Sequence, residues 1–276
     1  MNNLSRSVRF PSVAFATLEE FEVYRQANRE RFDGRYLHET SLASSEPVIR
    51  RPGSCAVCLR SAVFSSSTAR GEPQAGGLFM PEWDHEQYCD CEDRIPQRGR
   101  ALLHFAQASG SLHAWTRLLL FGRPGLADNR LRMIAHTTEA IERLRPFGFD
   151  NGLQPCYQIG VRDASFHLVV STNYLQHVPP LSAALNEIRR ALVPGGRFIF
   201  TVPFRMQSAT SESRIAHLRQ ENGALPVETH EDAHELGWDL LDRIHEAGFA
   251  DARVHTYWSD ELGYLGSFKT ICMAMT

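Results

Sequence analysis

Residues 166–204 constrain the fold of this chain more than any other stretch. They begin with FHLVVS (166–171), a nearly unbroken apolar run of strand length, and end with a second such run, RFIFTVPF (197–204). Between them lies LSAALNEIRRAL (181–192), a predicted helix whose apolar side consists of Leu181, Ala184, Leu185, Ile188 and Leu192. Apolar runs of this kind are typical of strands that are buried on both faces. The order strand, helix, strand therefore predicts parallel pairing in an open α/β sheet, whose ligands bind at the carboxyl ends of the strands.

The residues before this stretch predict one more strand and one more helix. LRMIAH (131–136) has the length and composition of a short strand. TTEAIERLRPF (137–147) predicts a helix that Thr137 or Thr138 opens. Glu139 then lies in the first turn, where the helix dipole favours a carboxylate.

The segment ASFHLVVSTNYLQHVPPLSAALNEIRRALVPGGRFIFTVPF resembles part of the class I S-adenosylmethionine-dependent methyltransferases, namely the fourth strand, the following helix and the fifth strand. These enzymes often carry an acidic residue and a histidine before that helix; here Gln176 stands at the acidic position and His177 follows it. GWDLLDRIHEAGFADARVHTYWSDELGYLG is similar to the last helix and closing strands of a bacterial subgroup that also has an N-terminal cysteine-pair module. The resemblance covers about two thirds of the chain.

The resemblance implies a Rossmann-like methyltransferase sheet that binds S-adenosylmethionine. Its cofactor-binding candidates in this sequence are Thr137, Thr138, Glu139, Asp150 and Asn173. Tyr174 and His177 are catalytic candidates, because they follow a predicted central strand where the ligand crevice is expected. His230 is a third catalytic candidate, as a general base near the pocket.

The cofactor-binding motifs are degenerate in two places. The family's first strand is followed by a glycine-rich loop, whereas AHTTEAI after the predicted first strand contains no glycine. The interval from Glu139 to Phe166 also leaves little room for the family's second and third strands, and Asp150 is its one plausible ribose ligand. The predicted sheet is therefore shortened, or the donor site is lost.

The cysteines predict a structural metal site. Four of the six form two close pairs, Cys55 and Cys58 in CAVC and Cys89 and Cys91 in CDC. Four thiolates on two short loops can close a tetrahedral shell around zinc. The segment between the pairs, SSSTARGEPQAGG (65–77), can contribute little to a core, so a bound metal would supply stability. The alternative is that these cysteines are small buried residues.

The stretch HEDAHELGWD (230–239) contains the H-E-x-x-H pattern of zinc hydrolases. The extended form of this pattern requires a third histidine, and Leu240 stands at that position. The methyltransferase resemblance instead predicts an ordinary amphipathic helix here, with Leu236, Leu240, Leu241 and Ile244 toward the core. His230 and His234 are then a solvated or pocket-edge pair.

The chain is expected to divide into three regions. Residues 1–50 form a helical arm, because Thr17 and Glu20 make a capping box at the start of TLEEFEVYRQANRERF. Residues 51–105 form the zinc-binding module. Residues 106–276 form the Rossmann-like domain, and a further predicted helix, PQRGRALLHFAQ (96–107), leads into it. The arm could equally be a lid or a homodimer contact.

Charge and hydropathy narrow the class of protein. A formal net charge of -3 gives no sign of a nucleic-acid partner. No apolar run approaches the length of a membrane span, and the first residues lack the apolar core of a signal peptide. We therefore expect a cytoplasmic protein with a small-molecule substrate.

Three functions remain open at this point. The first is methyl transfer from S-adenosylmethionine to a small-molecule acceptor in specialised metabolism. The second is a methyltransferase-like protein without a donor site, which catalyses a cyclisation or isomerisation or serves as a binding module. The remote third is a zinc hydrolase built on the H-E-x-x-H pattern.

Overall fold

The structure is a computed structural model that describes residues 9–83, 87–91, 94–122, 127–141, 145–149, 155–178, 180–213 and 234–276. The chain divides into two compact units. Unit 1 comprises Met1–Val13, Glu19–Gly110 and Thr256–Lys269; unit 2 comprises Ala14–Leu18, Ser111–His255 and Thr270–Thr276.

Unit 1 contains two consecutive helices, α1 (Leu18–Ala27) and α2 (Arg29–Ser41). The sequence predicted a single helix here. The helix is interrupted at Asn28, whose backbone is non-helical. The side-chain amide of Asn28 donates a hydrogen bond to the Tyr24 carbonyl at 2.9 Å. This local hydrogen bond competes with helix continuation, which explains the break.

The rest of unit 1 is built from short strands and one buried helix. The strands are β2 (Val48–Cys55), β3 (Arg60–Ser67), β4 (Glu72–Gln74), β5 (Leu78–Met80) and β6 (Gln87–Cys89). Strands β2, β3 and β6 form one antiparallel sheet, and β4 pairs with β5. The predicted helix after the cysteine pairs is confirmed as α3 (Gln97–Ala108).

Unit 2 contains most of the α/β elements. In chain order they are β7 (Arg117–Phe121), α4 (Asp128–Ile134), β8 (Thr137–Ile141), β9 (Arg145–Phe149), β10 (Pro155–Gln158), β11 (Phe166–Thr172), α5 (Leu181–Ala191), β12 (Leu192–Thr201), β13 (Glu212–Ser213), β14 (His234–Glu235) and α6 (Asp239–Glu246). The remaining strands each have some residues in unit 1 and the others in unit 2: β1 (Ser12–Phe15), β15 (Asp251–Ser259) and β16 (Tyr264–Met275).

Within the described residues, the main sheet has seven strands in the order β1-β15-β16-β12-β11-β7-β8. The pairs β7·β8, β7·β11 and β11·β12 are parallel, and β12·β16 is antiparallel. The chain passes from β7 outward to β8 on one side, and from β11 to β12 on the other. The strand order therefore reverses between β7 and β11, and such a reversal opens a crevice at the carboxyl ends of the strands.

The predictions for residues 166–204 are confirmed. Strand β11 and helix α5 lie where the sequence indicates, and β11 pairs in parallel with β12. Strand β12 spans Leu192–Thr201, so it begins before the predicted run 197–204. Helix α5 buries four of its five predicted apolar positions, and the fifth, Leu192, begins β12 and is buried there. The predicted amphipathic helix is confirmed in part: Leu240, Leu241 and Ile244 are buried in α6, whereas Leu236 lies before that helix, in an isolated bridge to Phe204.

The predictions for residues 131–147 are wrong, because helix and strand are exchanged. LRMI belongs to helix α4, where Leu131 is buried and Met133 is 76% exposed. Thr137, Thr138 and Glu139 belong to strand β8 and open no helix. The first parallel strand is instead β7, whose residues Leu118–Phe121 are all buried. Strand β8 is an edge strand with exposed positions, so it lacks the apolar run that marks a buried strand.

No helix in the described ranges combines the length and apolar composition needed to cross a bilayer.

Burial of His255 in β15 predicts a loss of stability in acid. Desolvation, with a smaller contribution from Arg253, lowers the pKa of His255 to about 4. As the pH falls below about 6.5, the unfolded chain takes up a proton that the folded chain rejects, so the fold loses stability. We expect a loss of at most about 2 kcal/mol from this residue between pH 7 and pH 5. Urea unfolding at both pH values measures it; an unchanged pH dependence in His255→Gln would contradict the assignment.

Candidate functional site

The crevice between β7 and β11 is the candidate active site. Strand β7 ends at Phe121 and Gly122 follows; strand β11 ends at Thr172, and Asn173 and Tyr174 follow. Two backbone hydrogen bonds fix this edge, from Gly122 N to Ile141 O at 2.9 Å and from Asn173 N to Thr201 O at 2.8 Å. The first bond joins the ends of β7 and β8, and the second joins the ends of β11 and β12.

Gly122 allows the backbone to approach an aromatic wall. Its φ of 113° is one that side chains disfavour, and a Cβ built there would lie 2.6 Å from Tyr174 Cγ. The Tyr174 ring is 2% exposed and meets Phe121 edge-on, with ring centroids 5.2 Å apart. Only glycine fits at this position. The sequence prediction missed Gly122, although LLLFG followed by RPG offers the apolar run and the turn residues of a strand end.

Polar atoms without partners are buried at the same edge. Asn173 has a positive φ of 45°, and its Oδ1 is buried without a hydrogen-bond partner in the described part of the chain. The same is true there of Gln176 Oε1 and Ser171 Oγ, and the residues Gln176 and Ser171 are 3% and 2% exposed. A buried acceptor without a partner costs about 1–3 kcal/mol, so these three atoms would gain from a ligand that donates hydrogen bonds.

Three of the predicted site residues come together here. Asn173, Tyr174 and His177 all lie within the turn that follows β11, where Leu175–His177 form a single 3₁₀ turn. His177 Nε2 lies 3.3 Å from Gln176 Nε2, and the side chain is partly exposed. His177 can therefore reach both the buried turn and solvent, as proton transfer requires.

The other predicted cofactor residues lie elsewhere. Thr137 and Thr138 are at the amino end of β8, opposite Arg117 and Leu118, whereas the carboxyl end of β8 is Ile141. Glu139 is in the middle of the strand and exposed. Asp150 and His230 lie outside the described residues. The structure therefore does not bring Thr137, Thr138 or Glu139 to the crevice edge.

His234 is not presented by a helix, contrary to the H-E-x-x-H pattern. It lies in β14 and is 5% exposed, and its Nε2 is 3.1 Å from the Val178 carbonyl oxygen. Because a carbonyl can only accept, Nε2 carries the proton and is not free to bind a metal. Burial lowers the pKa of His234, which favours this neutral form.

The cysteine pairs form a compact thiol cluster in unit 1. Cys55 ends β2, Cys58 lies in the turn to β3, and Cys89 ends β6. Their three Sγ atoms lie within 4.8 Å of one another, and those of Cys58 and Cys89 are 3.9 Å apart. Cys91 is buried in the same cluster, and its thiol interacts with that of Cys58. The Cys89 thiol, through a hydrogen bond, lowers the pKa of Cys55 to about 5.

The donor set and spacing of this cluster fit zinc. Tetrahedral zinc with Zn–S bonds of about 2.3 Å places its sulfurs about 3.8 Å apart, close to the Cys58–Cys89 separation. Thiolates are the ligands of structural zinc, and a low pKa at one of them favours metal binding. The three clustered cysteines, with Cys91 beside them, could thus hold one ion.

Comparison with known proteins identifies part of unit 2. Residues 126–200 match the family described as "Methyltransferase domain". No curated protein matches the chain.

Several solved structures are similar at low identity. A S-adenosylmethionine-dependent methyltransferase from Thermotoga maritima is 17% identical, with 63% of this chain and 88% of that chain covered and a TM-score of 0.38. A phosphoethanolamine N-methyltransferase from Haemonchus contortus is 14% identical, with 63% and 52% covered and a TM-score of 0.38. A S-adenosylmethionine-dependent methyltransferase from Mesorhizobium loti is 14% identical, with 63% and 100% covered and a TM-score of 0.33. These likenesses have low TM-scores and carry no argument. The sequence match shows that residues 126–200 are similar to a methyltransferase domain.

Proposed function

We propose that this protein binds S-adenosylmethionine in the crevice between β7 and β11 and transfers its methyl group to a small-molecule acceptor. The observation that carries the proposal is the set of buried acceptors without partners at this edge, above all Asn173 Oδ1 and Gln176 Oε1. The family match of residues 126–200 supports the same chemistry.

The residues at the edge fit the methyl donor. Asn173 and Gln176 offer carbonyl oxygens, which suit the ammonium group and the ribose hydroxyls of S-adenosylmethionine. Gly122 adds a stretch of backbone that has no side chain in the way. The Tyr174 ring is held against Gly122 and Phe121, so it forms a rigid apolar wall that excludes water.

When bound, the donor supplies an electrophilic methyl carbon on a positively charged sulfur. The protein's part is to orient the acceptor in line with the carbon–sulfur bond, whose electrons remain on sulfur when the new bond forms. His177 accepts the proton that the acceptor loses, because its imidazole is partly exposed beside the turn of Gln176. Tyr174 serves as wall and positioning residue, and His230 remains a sequence prediction.

We also propose that the cysteine cluster of unit 1 binds one structural zinc ion. Cys55, Cys58 and Cys89, with Cys91 beside them, would supply its four thiolate ligands, which would leave no open position for substrate. The ion would hold β2, β3 and β6 together and would take no part in methyl transfer. The two proposals are independent, because zinc analysis tests one and ligand binding tests the other.

Replacing Gln176 with leucine tests the methyl-donor site. Leucine has a similar size. It removes a buried acceptor that has no partner and also the contact of Nε2 with His177, so Gln176→Leu should be about as stable as the natural protein. Its affinity for S-adenosylmethionine should nevertheless fall at least about tenfold, because one charge-assisted hydrogen bond is lost. Calorimetric titration with S-adenosylmethionine measures the dissociation constants of the natural protein and of Gln176→Leu, both metal-replete.

Gln107→Leu is the matched control, since Gln107 is an exposed amide near the end of α3. It should bind the donor normally. The absence of heat at millimolar S-adenosylmethionine, or equal affinity in Gln176→Leu, would refute the donor site. Absent heat would instead favour a methyltransferase-like binding protein.

A further inference from the structure

Two adjoining cavities in unit 1 lie against one face of helix α2. The first is about 210 Å³ and mainly aromatic, and its walls include Phe32, Tyr36, Tyr257 and Phe268. The second is about 310 Å³, and its walls include Arg9, Tyr24 and Arg31. Both are lined by Arg35, Thr256 and Trp258. We call the two together the α2 pocket. The second cavity alone reaches the lower end of the volumes typical of ligand sites, about 300–1,000 Å³.

The charge on the wall of the α2 pocket is positive. Arg31 and Arg35 are four residues apart on α2, where like charges repel each other. Arg35 is partly buried, and desolvation and the charge of Arg31 lower its pKa. Neither guanidinium forms an ion pair within the described ranges. The one acid in the aromatic cavity wall, Asp33, faces Arg29 at 3.7 Å. A bound anion would relieve this repulsion.

The aromatic wall is held rigid. Trp258 Nε1 donates to Glu39 Oε1 at 2.7 Å, and the Gly266 backbone N–H donates to the same oxygen at 2.8 Å. Glu39 is 2% exposed, and its carboxylate is stabilised by these two hydrogen-bond donors. With the indole fixed, Arg35 stacks on Trp258 at 5.0 Å and on Phe32 at 5.4 Å. This stacking orients the planar guanidinium of Arg35 for bidentate hydrogen bonding to an oxyanion.

Backbone strain marks the same pocket. Phe268 has a φ of 54°, a left-handed conformation that bulky side chains disfavour. Its ring packs against Phe32 and Phe21, with centroid distances of 5.2 and 5.5 Å. Strain of this kind is found at ligand clamps, and here it sets one wall of the aromatic cavity.

We propose that the α2 pocket is a binding site for a small organic anion, with its aromatic or apolar part beside Trp258 and Phe268 and its carboxylate or phosphate on Arg31 and Arg35. The small volumes of the two cavities and the overall charge of -3 favour a small molecule over a nucleic-acid strand. The site is separate from the crevice between β7 and β11 and does not depend on the proposed methyl transfer.

Phenyl phosphate is the probe, because it joins an aromatic ring to a phosphate. Calorimetric titration of the full chain should show binding that is tighter than that of phenol or inorganic phosphate alone, and weaker as salt rises. Arg35→Gln and Arg31→Gln should each raise the dissociation constant at least tenfold. Arg31 is exposed, so its variant reports on binding even if Arg35→Gln is unstable.

Arg70→Gln is the matched control, because it removes the same charge from an exposed side chain of unit 1 that lines neither cavity. It should change the dissociation constant less than twofold. Undetectable phenyl phosphate binding, equal weakening by Arg70→Gln, or phenol binding as tight as phenyl phosphate would overturn the proposal. Tighter binding of oligothymidylate with the same arginine dependence would replace the small molecule with a nucleic acid.

Discussion

Replacing Cys89 with serine is expected to remove about one zinc ion per chain and to unfold the small sheet of β2, β3 and β6. Thermal unfolding of unit 1 should begin roughly 10 °C lower, which corresponds to a loss of about 2–3 kcal/mol. Elemental analysis measures the zinc, and circular dichroism follows the unfolding. Chelation of the natural protein should give the same result.

The size of this effect follows from how little apolar surface the module buries. The buried residues in the cluster are Cys55, Ala62, Phe64, Cys89 and Cys91. Burying one phenylalanine contributes only about 1.5–3 kcal/mol, whereas fixing each backbone residue costs about 1–2 kcal/mol. Structural zinc contributes about 10–16 kcal/mol in isolated zinc-finger peptides, so even a fraction of this decides whether the module folds.

Cys272→Ala is the control, because Cys272 is a buried thiol in β16 whose pKa burial raises. It should destabilise the core without changing the zinc content. A natural protein without zinc, or Cys89→Ser protein that keeps a full equivalent, would show that these cysteines are ordinary buried residues.

The fold was predictable where both faces of a strand are buried and unpredictable where one is not. Strands β11 and β12 are nearly continuous apolar runs, so the sequence identifies them together with α5. Strand β8 lies at the sheet edge, and TTEAI has little apolar signal. The apolar letters LRMI belong to α4, which buries Leu131 and exposes Met133. Composition alone therefore assigned the wrong element to each segment.

Moving the first parallel strand to β7 changes how the candidate site is interpreted. The glycine that seemed absent after the first strand is Gly122, and Glu142 follows β8 directly in the sequence. The motifs looked degenerate because the first strand was sought at 131–136, about fourteen residues after the start of β7 at Arg117. Asn173, Tyr174 and His177 were predictable, since they follow a strand that the sequence identifies. The sequence marked Gln176 only as a departure from the family pattern. That its side-chain oxygen is buried without a hydrogen-bond partner could be learned only from the structure.

Replacing Arg100 with methionine is the second change with a large expected effect. Arg100 is 1% exposed and donates at 3.0 Å to Leu262 O, Gly263 O and Gln87 Oε1. Its guanidinium also lies 4.4 Å from the centroid of the Phe64 ring. Methionine fills similar space but leaves three buried acceptors without donors, so unfolding should require about 3–5 kcal/mol less. Urea unfolding at pH 7 measures this loss.

The charge of Arg100 links this arginine to the cysteine cluster. Its partners for hydrogen bonding are neutral, and its field helps lower the pKa of Cys55. A zinc ion with four thiolates carries two negative charges, which the buried cation would offset. Arg100→Met should therefore also weaken zinc retention against a chelator, whereas Arg60→Met should not.

Arg60 belongs to the same module but is exposed and pairs with Asp90 at 3.4 Å, a surface contact worth at most about 1 kcal/mol. If both variants lose stability equally, or if Arg100→Met retains zinc as firmly as the natural protein, the buried charge has no role in the cluster.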